Sequence, residues 1–197
     1  MHHTLAITLI TLGLATTPFT VQAGQVILNP VLGVQQNDTE QITVNSNVIT
    51  FKNDGDTGVL GFQGGYLFDF GLALTGEILL SKIEFENETA GSRRGEINMG
   101  SLTSQATYYF NQDQRFQPYI GIGLGSMGAE IDNSNTNIDM EGYRSEGKVG
   151  FLVQFNDTMG LTVEYKCTYF SLEDEDNDNN TYKSRGNYLG AGFSIRL

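Results

Sequence analysis

The chain has 197 residues, 11 Lys and Arg against 23 Asp and Glu, and a formal net charge of -12. That length suits one domain, and the acidity argues against a nucleic-acid partner, whose phosphates need basic contacts. A single cysteine, Cys167, excludes an internal disulfide.

In chain order, the first feature is the apolar run LAITLITLGLATT from Leu5 to Thr17. It is too short to cross a bilayer as a helix. It leads to Val21-Gln22-Ala23, whose small residues favour signal-peptidase cleavage before Gly24, although His2 and His3 replace the usual Lys or Arg ahead of it. Residues 1–23 are therefore expected to be a cleaved export signal, and 24–197 the mature domain. No later segment is apolar for long enough to form a transmembrane helix, so any membrane span must be built from strands.

Turn-rich patches divide the remainder into eight predicted strands, at 25–35, 59–68, 71–85, 97–110, 116–131, 143–155, 161–171 and 185–197. An even count is what a bacterial single-chain barrel needs. The connections alternate in length. Residues 69–70, 111–115 and 156–160 are tight, whereas 36–58, 86–96, 132–142 and 172–184 are long and polar, like short periplasmic turns and longer external loops. Pro30 lies inside the first strand, where it predicts either a bulge or a different strand position.

Within the strands apolar and polar residues alternate with period two. Leu189, Ala191, Phe193, Ile195 and Leu197 oppose Tyr188, Gly190, Gly192, Ser194 and Arg196. Leu161, Val163, Tyr165, Cys167 and Tyr169 oppose Thr162, Glu164, Lys166 and Thr168, and Val149, Phe151, Val153 and Phe155 oppose Glu146, Lys148, Gly150 and Gln154. Phe116, Pro118, Ile120, Ile122 and Leu124 oppose Tyr119, Gly121, Gly123 and Gly125. The polar face is rich in Gly, Ser, Thr and Tyr, as suits a narrow lumen, and no charge falls centrally on an apolar face. Lys82, Glu84, Glu130 and Arg185 share that face only at its loop-side ends. Aromatics gather near both ends: Tyr66, Phe68, Phe70, Tyr109, Phe110, Phe116 and Phe155 by the short turns, Tyr143 and Tyr169 by the long connections. Interfacial girdles have this placement.

At Gln117-Pro-Tyr-Ile-Gly-Ile-Gly-Leu-Gly125 the chain resembles the OmpA-like transmembrane barrel family, which includes OmpX and the opacity-type surface proteins. Leu161-Thr-Val-Glu-Tyr-Lys166 and Tyr188 to Leu197 are similar to that family's last two strands. The resemblance implies an eight-stranded antiparallel up-and-down barrel, inserted by the barrel-assembly machinery. It also implies roles in membrane integrity, adhesion or evasion. The terminal residue is Leu197 where the assembly signal usually ends in Phe, and the family's peptidoglycan-binding domain is not expected here.

Both histidines lie in the signal, which removes Ser-His and Cys-His chemistry from the mature chain and imidazole metal sites with it. No enzyme and no cofactor is expected. Cys167, flanked by Tyr165 and Tyr169, reads as a lipid-facing filler. The inward charges Glu77, Lys148, Glu164 and Lys166 form the candidate site, with Gln105 and Tyr119 beside them and Arg196 at the periplasmic mouth. Buried charges must pair, so the cluster is either a static polar plug, favoured because eight strands leave room for little but side chains, or a salt-bridge gate. Asp54 and Asp56 in one loop, and Glu173, Asp174, Glu175 and Asp176 in another, could bridge a cation weakly; a solvated acidic face is the favoured reading. The Asn-x-Thr triplets at Asn37, Asn87, Asn156 and Asn179 are read as chance matches. The function expected is a monomeric scaffold displaying polar loops to an unknown host or cell-surface ligand, seated among outer-membrane lipid and lipopolysaccharide. The alternatives are a narrow channel for water, ions or small apolar solutes, and a soluble lipocalin-type barrel.

Overall fold

A computed structural model of the chain describes residues 24–44, 47–51, 56–87, 93–133, 136–174 and 181–197. The expected signal, 1–23, lies outside the described residues. The strands are β1 (Gln25–Val44), β2 (Asn47–Phe51), β3 (Asp56–Leu67), β4 (Leu72–Asn87), β5 (Arg93–Tyr109), β6 (Phe116–Asn133), β7 (Thr136–Gln154), β8 (Met159–Asp174) and β9 (Thr181–Arg196). Each pairs antiparallel with its neighbour, and β1 pairs with β9 to close the sheet. The short β2 only folds back on the far end of β1, from Val44↔Asn47 to Glu40↔Phe51. The closed wall therefore has eight strands, as the sequence predicts.

The two faces are inverted relative to a soluble protein. Ile122 and Leu124 are 67% and 69% exposed, while Glu77 and Lys166 are 0% exposed. Lipid replaces water as the outer solvent, so apolar side chains point out and the polar set fills the lumen. Closure leaves the wall no free edge within the hydrocarbon layer, so backbone groups find partners across the ladders where no water could satisfy them, the gap at Asn29 and Pro30 between β1 and β9 apart. A lipocalin-type barrel would carry its apolar face inward, and the observed faces exclude it.

Three tight turns join the strands at one end. Gly71 takes φ 99° in the first and Asn111 φ 55° in the second, conformations that Gly and Asn tolerate best. In the third, the Asn156 side-chain oxygen accepts from the Thr158 and Met159 amides at 2.9 and 2.8 Å, an Asx-type turn.

The opposite end departs from expectation. Most of the polar stretches taken as long loops are paired strand. β4 and β5 stay in register to Asn87↔Arg93, β6 and β7 to Asn133↔Thr136, and β8 and β9 to Glu173↔Thr181. The cause is an inversion of polarity along each strand. On β7 the inward residues run Lys148, Glu146, Arg144 and then Met140, while the outward ones run Phe151, Val149, Tyr143 and then the exposed Glu141 and Asp139. On β8 the inward Lys166 and Thr168 give way to Phe170 and Leu172. A tilted strand crosses the bilayer in about 9–11 residues, yet all barrel strands but β3 have 16 or more. Where the wall leaves lipid for water, its outer face turns charged and its inner face apolar.

Pro30 needs neither a bulge nor a displaced strand. It pairs with Phe62 on β3, and the ladder to β9 simply omits Asn29 and Pro30. The same register resumes on both sides, from Leu28↔Ile195 to Val31↔Gly192. The irregularity in that ladder lies higher, between Asn37 and Thr39.

Candidate functional site

The lumen is built on the three glycines of the β6 motif. Gly121, Gly123 and Gly125 all point inward. A Cβ on Gly123 would lie 2.9 Å from carbons of Glu146 and Thr103 and 3.1 Å from Gln105, and one on Gly121 would lie 2.9 Å from Lys148. The missing side chains of β6 thus make room for long ones from β5 and β7. Gly123→Val should therefore destabilise the barrel by about 1–3 kcal/mol through overpacking. Gly147→Val, whose added carbon meets open space, should be near neutral. Urea titration in lipid vesicles, read by circular dichroism, would compare the two; equal stability would show that the glycines are not spacers.

Into that space project three carboxylates, Glu77, Glu146 and Glu164, and three cations, Arg144, Lys148 and Lys166, all buried. Their formal charges cancel. Lys166 forms an ion pair with Glu77, reaches Glu164 at 3.1 Å and Glu146 at 4.0 Å, and lies 4.9 Å from the Tyr188 ring centre. Gln63 donates to Glu77 at 2.6 Å and to Glu164 at 3.2 Å. Gln105 donates to Glu146 at 2.6 Å while accepting from Lys148 at 2.6 Å and from Thr75 at 3.2 Å. Arg144 holds Glu146 at 3.1 Å and donates to Ser101 at 3.3 Å. Tyr119 donates to Glu164 at 3.4 Å. The network can hold charge without water, because each ion faces an opposite charge or an amide.

The structure brings Glu77, Lys148, Glu164, Lys166, Gln105 and Tyr119 together. It places Arg196 apart, near the tight turns, where it donates to Gln117 at 2.7 Å. Gln117 in turn donates to the Gln154 side chain at 2.8 Å and to the Gln112 carbonyl at 2.7 Å, bracing that end. The sequence reading did not count Gln63, Arg144 and Glu146. Alternation alone could have found them, since Glu146 and Arg144 share the inward face of Lys148, and Gln63 that of Leu67. Tyr109, grouped with the girdle aromatics, is instead buried inside, 5.0 Å from the Tyr119 ring. Its neighbour Tyr108 faces out and packs on Phe110 at 5.0 Å.

Apolar clusters flank the charges on both sides along the barrel. Ile97, Met99, Met127, Ala129, Met140, Phe170, Leu172 and Tyr182 cluster toward the hairpin end. Ile27, Leu67, Ala73, Tyr109, Tyr119 and Leu152 cluster toward the turns. A hollow of about 1300 Å³ touches Leu32, Leu60, Leu80, Met99 and Met140. The first three are exposed on the outer face, and the last two, with Val59 and Ala129, are buried on the inner face, so the hollow is lined by both faces of the wall at that level.

Of the loop acids, Asp54, Glu175 and Asp176 lie outside the described residues. Asp56 opens β3, paired with Gln36, and Glu173 and Asp174 end β8. Among the described residues no group of three His, Cys, Asp or Glu is placed to hold a metal ion. Cys167 is exposed on the outer face.

The sequence matches the outer membrane protein β-barrel domain family over residues 7–196. No curated protein matches it. Among solved structures, the fold is similar to Neisserial surface protein A (TM-score 0.59, 14% identity, 88% of this chain and 97% of that one). It is also similar to OprG from Pseudomonas aeruginosa (0.62, 16%, 89% and 97%). Ail, the attachment invasion locus protein of Yersinia pestis, has been solved with the heparin analogue sucrose octasulfate; it aligns at TM-score 0.50, 14% identity and 88% and 100% coverage. With its closed eight-stranded wall, lipid-facing outer surface and family match along nearly its whole length, the chain belongs to the outer membrane protein β-barrel domain family.

Proposed function

We propose that this outer-membrane barrel is a non-conducting, non-catalytic scaffold that displays an acidic surface outside the cell. The observation carrying this reading is the layered filling of the lumen: a charge-balanced network between two apolar clusters. Any through-path would have to break both kinds of contact, and eight strands enclose little space beyond their own side chains. The rest of the reading follows the same logic. Residues 1–23 direct export and are removed, the assembly machinery inserts a monomer among lipid and lipopolysaccharide, and the hairpin end meets an external ligand. The acidic residues Asp54, Asp56, Glu173, Asp174, Glu175 and Asp176 act as a solvated face that favours cationic ligands over polyanions such as the one bound to Ail.

Planar-bilayer recording tests the scaffold against the channel. The purified protein should give no discrete conductance steps at either polarity. Reproducible steps that change in Glu77→Ala would instead establish a salt-bridge gate and overturn the plug.

A further inference from the structure

We propose that the tight-turn end of the barrel holds a binding site for a basic amino acid, free or at the carboxyl end of a peptide. Arg196 takes its carboxylate, and three aspartates at the rim take its ammonium groups. The site goes beyond the display reading, since it lies on the opposite side of the membrane from the hairpin end. Its basis is a cup of about 330 Å³ among the tight turns. Each turn gives the cup one carboxylate: Asp69 from the first, Asp113 from the second and Asp157 from the third. Arg196 is the one cation in its lining.

Arg196 is the residue that points to a ligand. It is 8% exposed, yet no carboxylate among the described residues pairs with it. The central network has no charge to spare for it, because Glu77, Glu146 and Glu164 already balance Arg144, Lys148 and Lys166. Its side chain makes one hydrogen bond, to Gln117 at 2.7 Å, and lies 5.8 Å from the Tyr109 ring centre. The buried Nε has no partner. Buried charges are normally paired, and a guanidinium is the donor best matched to a carboxylate. The fold also holds it in place. Gln117, fully buried, donates to the Gln112 and Gln114 carbonyls at 2.7 and 3.0 Å and to the Gln154 side chain at 2.8 Å, so its oxygen is left for Arg196. The Arg196 amide donates to the Thr158 carbonyl at 2.7 Å, tying the residue to the third turn. A group fixed before binding loses little freedom on binding.

The rim sets the class of ligand. Asp69, Asp113 and Asp157 are exposed, and none forms an ion pair among the described residues. Nor do they converge as a metal site would. Three carboxylates outweigh one cation, so the rim repels a simple anion, while a simple amine leaves Arg196 unmatched. A molecule with one carboxylate and two ammonium groups satisfies both.

Calorimetric titration of the protein in lipid nanodiscs tests the site with four probes: lysine, the tripeptide Gly-Gly-Lys, lysinamide and acetate. Lysine and the tripeptide should bind saturably, and the tighter of the two names the source of the ligand. Lysinamide keeps both ammonium groups but has no carboxylate, and acetate has only the carboxylate; each should bind roughly tenfold more weakly, the loss expected for one charged hydrogen-bonding partner. Arg196→Gln should erase the difference between lysine and lysinamide. Asp113→Asn with Asp157→Asn changes only exposed turn residues, so it reads the site even if Arg196→Gln does not insert; lysine should weaken several-fold there. Three outcomes would each overturn the site: no saturable binding of lysine or the tripeptide, lysinamide as tight as lysine, or acetate as tight as lysine. The second would reduce the cup to a diffuse attraction for cations, and the third to a simple anion site.

Discussion

Replacing Lys166 by Met should destabilise the folded barrel by about 3–5 kcal/mol, the cost typical of leaving a buried charge without its partner. Lys166 is fully buried and bridges Glu77, Glu164 and Glu146. Without it, three carboxylates face only Arg144 and Lys148, and Glu77 keeps the Gln63 amide as its hydrogen-bond donor. Removing both partners has a different cost. Lys166→Met with Glu77→Met restores neutrality between Glu146, Glu164, Arg144 and Lys148, and apolar replacement of a whole buried pair is often neutral or stabilising. The double variant should therefore regain most of the loss, which a mere packing defect would not do. Lys183→Met, at an exposed site on β9, is the control and should stay within about 0.5 kcal/mol of the parent. Urea titration in lipid vesicles, read by the heat-modifiable mobility of the folded barrel, separates the three. Equal stability of Lys166→Met and Lys183→Met would remove the network from any account of stability.

The strands and their faces were legible because period two survives wherever a wall separates two media. Glu77, Lys148, Glu164 and Lys166 fell on the inward face for that reason, and the structure gathers them into one network. Legibility failed where the outer medium changes. Asp139, Glu141 and Glu173 look like loop residues if lipid is assumed outside, but beside water they are the ordinary outer face of a strand. The alternation of Met140 with Asp139 and Glu141 was present in the sequence with its sign reversed. Other features depend on partners that a single strand does not name. Pro30 sits without a bulge because the ladder to β9 lacks a bond there, which only the register reveals. Tyr109, by contrast, continues the inward alternation of Gln105 and Thr107 on β5, so its place inside was legible and grouping it with the girdle overlooked the period.

The sign reversal leads to the second large effect. Ile122 lies mid-strand on the outer face of β6, between Ile120 and Leu124. Ile122→Arg should cost about 2–4 kcal/mol, because a guanidinium would be placed against the hydrocarbon midplane. The same new charge at Glu141 should be nearly free. Glu141 is exposed beyond the polarity switch and stands directly opposite Glu173, so Glu141→Arg exchanges a like-charge cross-strand pair for an opposite one. One residue away the outcome reverses again. Met140 is 3% exposed within the apolar cluster of the hairpin end, and Met140→Arg buries an unpaired cation among Met99, Phe170 and Leu172, where the penalty should be several kcal/mol. Refolding equilibria in vesicles would rank the three. If Ile122→Arg proved as harmless as Glu141→Arg, the exposed apolar band would not be facing lipid. If instead Met140→Arg were tolerated, the wall beyond the switch would hold water, and the upper apolar layer could not seal the lumen.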